Sequence, residues 1–129
     1  MLATLVTFAL ALAAAPVATA AVPSLKVGTR PTFRIHSPAA VAADSSVFLT
    51  IAAKRKVYKD GELKRTTVGT FAEMNKKRNA NFVWKSPPYT FPGWFMMQPG
   101  TYFWQTYYID CAAPDCHVLS KIKSFKVVE

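Results

Sequence analysis

Apolar and polar residues alternate along this chain in short runs. Val47, Leu49 and Ile51 lie on one face of the segment 47–53 while Phe48 and Thr50 lie on the other, the period-two pattern of a half-buried strand. Thr32 to His36 alternates in the same way until Ser37-Pro38 stops it, and Phe82 to Lys85 reads as a strand closed by Ser86-Pro87-Pro88. The run from Ala21 to Pro31 is broken by Pro23, Gly28 and Pro31 and fits a lead strand, whereas 39–43 reads as a loop. Lys56 to Arg65 is centred on Asp60-Gly61, which predicts a hairpin with a type I′ turn. Thr66 to Phe71 extends that hairpin until Gly69 interrupts it, and the polar stretch 72–81 allows a single helical turn. Tyr89 to Met97 is apolar but broken by Pro92-Gly93, so it reads as a short strand or a loop folded onto the core, and its proline argues against a central strand.

The segment 98–128 is the most structured part of the pattern. It holds a Pro-Gly turn, a long aromatic strand, a loop bracketed by the only two cysteines, and a closing strand. Several short strands with turn signals about every ten residues, and no helical run of useful length, predict an all-β antiparallel sandwich of about seven strands.

Pro99-Gly100-Thr101-Tyr102-Phe103-Trp104-Gln105 resembles the opening of the sixth strand in bacterial fibronectin type III and related immunoglobulin-like domains. Ser124-Phe125-Lys126-Val127 is similar to their final strand. The resemblance covers about thirty residues closely and is architectural elsewhere. It implies two packed antiparallel sheets, no cofactor, and a spacer, adhesive or ligand-binding role instead of catalysis. It also implies a tyrosine near the start of this strand that hydrogen-bonds back onto the preceding corner. Tyr102 is the candidate, and the alternative register places Phe103, which has no hydroxyl, at that position.

In this strand Tyr102, Trp104, Thr106 and Tyr108 share one face, and Phe103, Gln105, Tyr107 and Ile109 share the other. A sandwich strand needs only one apolar face. The second face is therefore either a site for stacking on sugar rings or a protein partner, or it is covered by the lead segment or a long loop, or its tyrosine hydroxyls simply reach water. Cys111 and Cys116 flank a loop between strands that must run antiparallel, within reach of a disulfide. Closing so short a loop stabilises by about 2 kcal/mol. The pair is either a staple on a small fold or the clamp of a recognition loop carrying Asp115 and His117. A metal site built from Cys111, Cys116, His117 and His36 lacks the second close ligand pair that zinc sites use, so no metal is expected.

Charge narrows the partners. The chain of 129 residues has a formal net charge of +9, and its basic residues cluster as Lys54, Arg55, Lys56, Lys59, Lys64 and Arg65 around the hairpin and as Lys76, Lys77 and Arg78 further on. A solvated surface is the ordinary meaning of scattered lysines; two runs of three add an anion-binding surface. The expected partner is an anionic wall polymer or glycan, or another extracellular protein, with peripheral contact to lipid headgroups a further option. Nucleic acid is disfavoured because no binding signature accompanies the charge. Residues 1–20 carry no charged side chain and end in Ala18-Thr19-Ala20, which reads as a signal peptide cleaved before Ala21. An uncleaved anchor is the alternative, opposed by Pro16 and the alanine-dominated run. Secretion follows, and the cysteine pair fits an oxidising compartment. No G-x-S-x-G or H-E-x-x-H motif is present, so no enzyme activity is expected. A small hydrolase or metal-handling protein would need the fold to bring His36 and His117 together.

Overall fold

The computed structural model describes residues 24–36, 46–77, 81–88, 91–110 and 116–129. The described residues form nine strands: β1 (Ser24–Lys26), β2 (Thr32–His36), β3 (Val47–Ala52), β4 (Gly69–Glu73), β5 (Asn75–Lys76), β6 (Asn81–Lys85), β7 (Gly100–Ile109), β8 (His117–Leu119) and β9 (Lys123–Val128). They make two sheets. The larger, of six strands, runs β1-β9-β7-β3-β4 with β8 also paired to β7, and the smaller runs β2-β6-β5. The chain is all-β, as its alternation predicts. One pairing is parallel, that of β1 with β9.

The inward positions of both sheets fill one core. Val47, Leu49 and Ile51 of β3 are fully buried, as are Phe33 of β2 and Phe125 of β9. Phe33 bridges the sheets, meeting Trp104 at 5.1 Å and Phe125 at 5.7 Å between ring centroids, both edge-on. The stretch 89–97 is the packed-loop alternative in its described part. A 3₁₀ turn over Phe95–Met97 sinks Phe95 and Met96 into the core, and the Phe95 ring meets Tyr102 and Phe125 edge-on.

Tyr102 is 2 % exposed and its hydroxyl donates to the Gln98 carbonyl at 2.6 Å. The backward bond onto the corner is thus made by Tyr102, and Phe103 faces away from the core. Burial pushes the Tyr102 phenol above the ordinary tyrosine value.

Three local expectations are corrected. First, the Asp60-Gly61 turn is not type I′, because only Gly61 takes a positive φ, at 93°. The Gly61 N–H donates to Tyr58 and the Tyr58 N–H to Glu62, so Lys59, Asp60 and Gly61 form a three-residue loop: a type I turn followed by a glycine bulge. The Asp60 carboxylate accepts from the Glu62 N–H at 2.9 Å and favours this form. Second, Gly69 starts a strand instead of ending one. It pairs with Ala52 so closely that a Cβ would run into the Ile51 carbonyl oxygen. Third, 72–77 makes no helical turn. Ala72 and Glu73 continue the ladder against Leu49 and Phe48, and the chain then passes to the smaller sheet at Met74. The Met74 N–H donates to Val47 at 2.8 Å and its side chain is buried, which fixes the crossing.

β8 and β9 lie on the same edge of β7 with a one-residue slip. Tyr107 faces Leu119 while Trp104 faces Lys123, so three residues oppose two. Ser120 fills this bulge: its N–H donates to the Thr106 carbonyl and its Oγ accepts from the Thr106 N–H.

Candidate functional site

The outer face of the larger sheet is covered over the middle of β7. The hairpin 56–65, long enough to fold back, lies across β7 and inserts Leu63, which is 1 % exposed. Gln105 anchors it from below. Its Oε1 accepts from the Leu63 N–H at 2.8 Å, and its Nε2 donates to the Gly61 carbonyl at 3.2 Å and the Ser120 carbonyl at 3.1 Å. Gln105 is 3 % exposed with three partners, so its burial is satisfied.

Beside this anchor runs an aromatic row. Arg65 lies 3.6 Å above the Phe71 ring, Phe71 stacks on Phe48 at 5.6 Å, Phe48 on Tyr107 at 5.3 Å, and Tyr107 on His117 at 4.6 Å. The His117 Nδ1 bonds Glu62 Oε1 at 3.1 Å, tying the hairpin tip to β8. Burial, then the nearby Glu62 carboxylate, raises the Tyr107 phenol, with Arg65 pulling weakly the other way.

This geometry sorts the strand residues proposed for stacking. Gln105 and Tyr107 are buried under the hairpin, Phe103 is half-buried, and only Ile109 is exposed. An open aromatic platform is therefore not formed at Gln105 and Tyr107, because the long-loop alternative holds. The aromatic spacing on both strand faces could signal a cover but not which segment provides it.

His36 and His117 do not converge. His36 lies on the smaller sheet, where its Nδ1 meets Asn81 Oδ1 at 2.8 Å, while His117 is held by Glu62 on the larger one. Asp60, Glu62 and His117 do come together, with one ligand atom from each within 4.8 Å of the others. The Asp60 carboxylate already takes the Glu62 N–H and Glu62 takes His117, so the trio closes the hairpin tip through its own contacts. Cys111, Asp115 and Arg78 lie outside the described residues, as does the whole of 1–20; Cys116 immediately precedes β8 with φ 60°.

Two groups of basic residues differ in setting, apart from Lys26, Arg30, Lys121, Lys123 and Lys126, which are exposed elsewhere. Lys54, Arg55, Lys56, Lys59, Lys64 and Arg65 are all exposed on the hairpin, where Asp60 and Glu62 are interspersed. Lys64 sits 5.1 Å over the Tyr58 ring. The smaller sheet presents its outer face as an open groove of about 800 Å³. Register places Lys77, Asn81 and His36 across one end, Asn75, Val83 and Arg34 across the middle, and Lys85 with Thr32 at the other end. Lys77 belongs to the predicted basic cluster; Arg34 and Lys85 were not legible as members, since 51 residues of sequence separate them.

Against this geometry, no protein-family model, no curated protein and no solved structure matches the chain.

Proposed function

We propose that this chain is a secreted, non-enzymatic β-sandwich module of the fibronectin type III or immunoglobulin-like kind that binds an anionic partner at the cell surface or outside it. The observation that carries the reading is the open basic face of the smaller sheet, which has no carboxylate among the described residues, on a chain of net charge +9. Long-range attraction from such a surplus raises encounter rates with polyanions. The Tyr102 corner bond supports the family-level part, and the uncharged segment 1–20 supports secretion. An oxidised Cys111–Cys116 staple belongs to the same reading, since export favours it.

The test is retention of the secreted protein on immobilised acidic polysaccharide. Binding at low ionic strength that is released as salt approaches about 0.5 M is expected, because the screening length falls to a few ångströms there. Free passage through the matrix even at low salt would overturn the anionic-partner reading.

A further inference from the structure

We infer that the groove on the outer face of the three-stranded sheet is the binding site, and that its ligand is an anionic polysaccharide held by Arg34, Lys77 and Lys85 together with Asn75 and Asn81. This rests on the anionic-partner reading above and gives it a place and a ligand chemistry.

The charge argument comes first. Arg34, Lys77 and Lys85 stand on three different strands or their ends, all exposed, and no carboxylate lines the groove among the described residues. On the hairpin, by contrast, Asp60 and Glu62 stand among the cations, and Arg65 and Lys64 lie over rings of the fold itself. Lys76 is one residue out of phase with Lys77 and so projects from the other side of β5. Lys26 and Lys126 form a further exposed pair at the β1–β9 edge, but the groove gathers three cations from three strands or their ends with no carboxylate among the described residues.

The spacing selects a polymer over a small ion. Arg34 pairs with Val83 and Lys85 with Thr32, so the two cations are diagonal neighbours about 7 Å apart at the backbone. Lys77 lies two strands away from Arg34, about 10 Å across the sheet. Cations spread this way meet charges repeated along a chain, whereas a single small anion needs converging donors. Between them stand two carboxamides and the Thr32 hydroxyl, groups that exchange hydrogen bonds with sugar hydroxyls. The Asn81 carboxamide is already oriented by His36 at 2.8 Å, so ordering it costs little on binding.

The outward residues also argue against other polyanions. Among the described residues the one ring exposed in the groove is the His36 imidazole, which is held by Asn81; Phe82 borders the groove but is 2 % exposed, and Trp84 packs against the core. Single-stranded nucleic acid binding relies on successive bases stacking on several exposed rings, and this face offers one imidazole already held by Asn81. A lipid surface would call for apolar insertion, and Val83 is half-buried in the floor.

The experiment compares two variants of the secreted protein that each lower the net charge by three. One carries Arg34→Ser, Lys77→Ser and Lys85→Ser; the other carries Lys54→Ser, Lys56→Ser and Lys59→Ser. Affinity for soluble polygalacturonate is measured at fixed low salt, after thermal melts confirm that both variants fold. The groove variant should lose at least about tenfold in affinity and the hairpin variant less than about threefold. Asn75→Ala alone should weaken binding with no change in net charge. Equal losses from the two triple variants, or a larger loss from the hairpin one, would overturn the inference while leaving the anionic-partner reading intact. Tighter binding of single-stranded DNA or of anionic vesicles through the same three cations would overturn the ligand. Absence of wild-type binding to every polyanion would remove the reading and the inference together.

Discussion

The outer faces of the two sheets are built from similar alternating strands and end in opposite states. On the larger sheet the outward residues next to the hairpin are Phe48, Phe71, Gln105 and Tyr107, and the hairpin folds back over part of them. On the smaller sheet they are Thr32, Arg34, His36, Asn81, Val83 and Lys85, and a groove stays open. Both the chemistry and the connections account for the difference. Apolar rings left in water carry a cost that a covering segment removes, and residues 53–68 between β3 and β4 supply one of sufficient length. The charged face has no such driving force, since covering it would strip water from cations without partners. A sandwich face thus becomes core-like or surface-like according to its outward residues.

The comparison breaks most severely at Gln105. Gln105→Glu keeps the shape but turns an amide that donates to the Gly61 and Ser120 carbonyls into a carboxylate facing both of them. A buried, uncompensated charge of this kind costs about 4 kcal/mol. Its sign with pH is fixed. The buried site raises the introduced carboxyl above its unfolded value, so stability is retained below the unfolded value and lost as pH rises through the folded one. Urea melts should show a large loss at neutral pH that shrinks on acidification. A variant as stable as the wild type at neutral pH would mean that the hairpin does not seal this face.

Leu63 tests the same cover from above. Leu63→Ala removes an almost fully buried side chain from beneath the hairpin and should destabilise by about 3 kcal/mol. The exposed basic residues 54–65 should then be cut faster by trypsin, because the hairpin opens more often. A loss below about 1 kcal/mol would show that the hairpin rests on the sheet without holding it.

Much of this was legible in the residues. Alternation located Val47, Leu49 and Ile51 in the core, and the Pro99-Gly100 turn with Tyr102 marked the corner bond, because both depend on local spacing. The Asp60-Gly61 hairpin was legible as a hairpin but not in its turn type. That depends on whether Asp60 takes a positive φ, and its side-chain bond to the Glu62 N–H favours the other form. The sheet change at Met74 was hidden because a buried methionine within a polar stretch gives no periodic signal. The site was the least legible part. Gln105 was correctly placed on the outward face, yet its burial needs contacts with Gly61 and Leu63, 44 and 42 residues away. Arg34 and Lys85 likewise meet only through the β2–β6 register. Charge runs along the sequence draw attention to the hairpin, whereas the basic groove is assembled across strands.

The smallest effect is the most discriminating between a covered and an open face. Tyr107 lies outward on β7, yet burial and the neighbouring Glu62 raise its phenol, as burial alone raises Tyr102 in the core. A tyrosine raised in the folded state contributes stability that is fully present below its unfolded value near 10 and is lost as pH rises through the folded value. Tyr107→Phe retains the ring that stacks between Phe48 and His117, so stability near pH 8 should stay within about 1 kcal/mol of wild type. Lysine deprotonation is common to both proteins and cancels in the comparison. Between about pH 8 and about pH 11 the urea midpoint of the variant should fall less steeply than that of the wild type. Equal slopes would mean that Tyr107 ionises as it would in water, and the larger sheet's outer face would then be as open as the smaller sheet's groove.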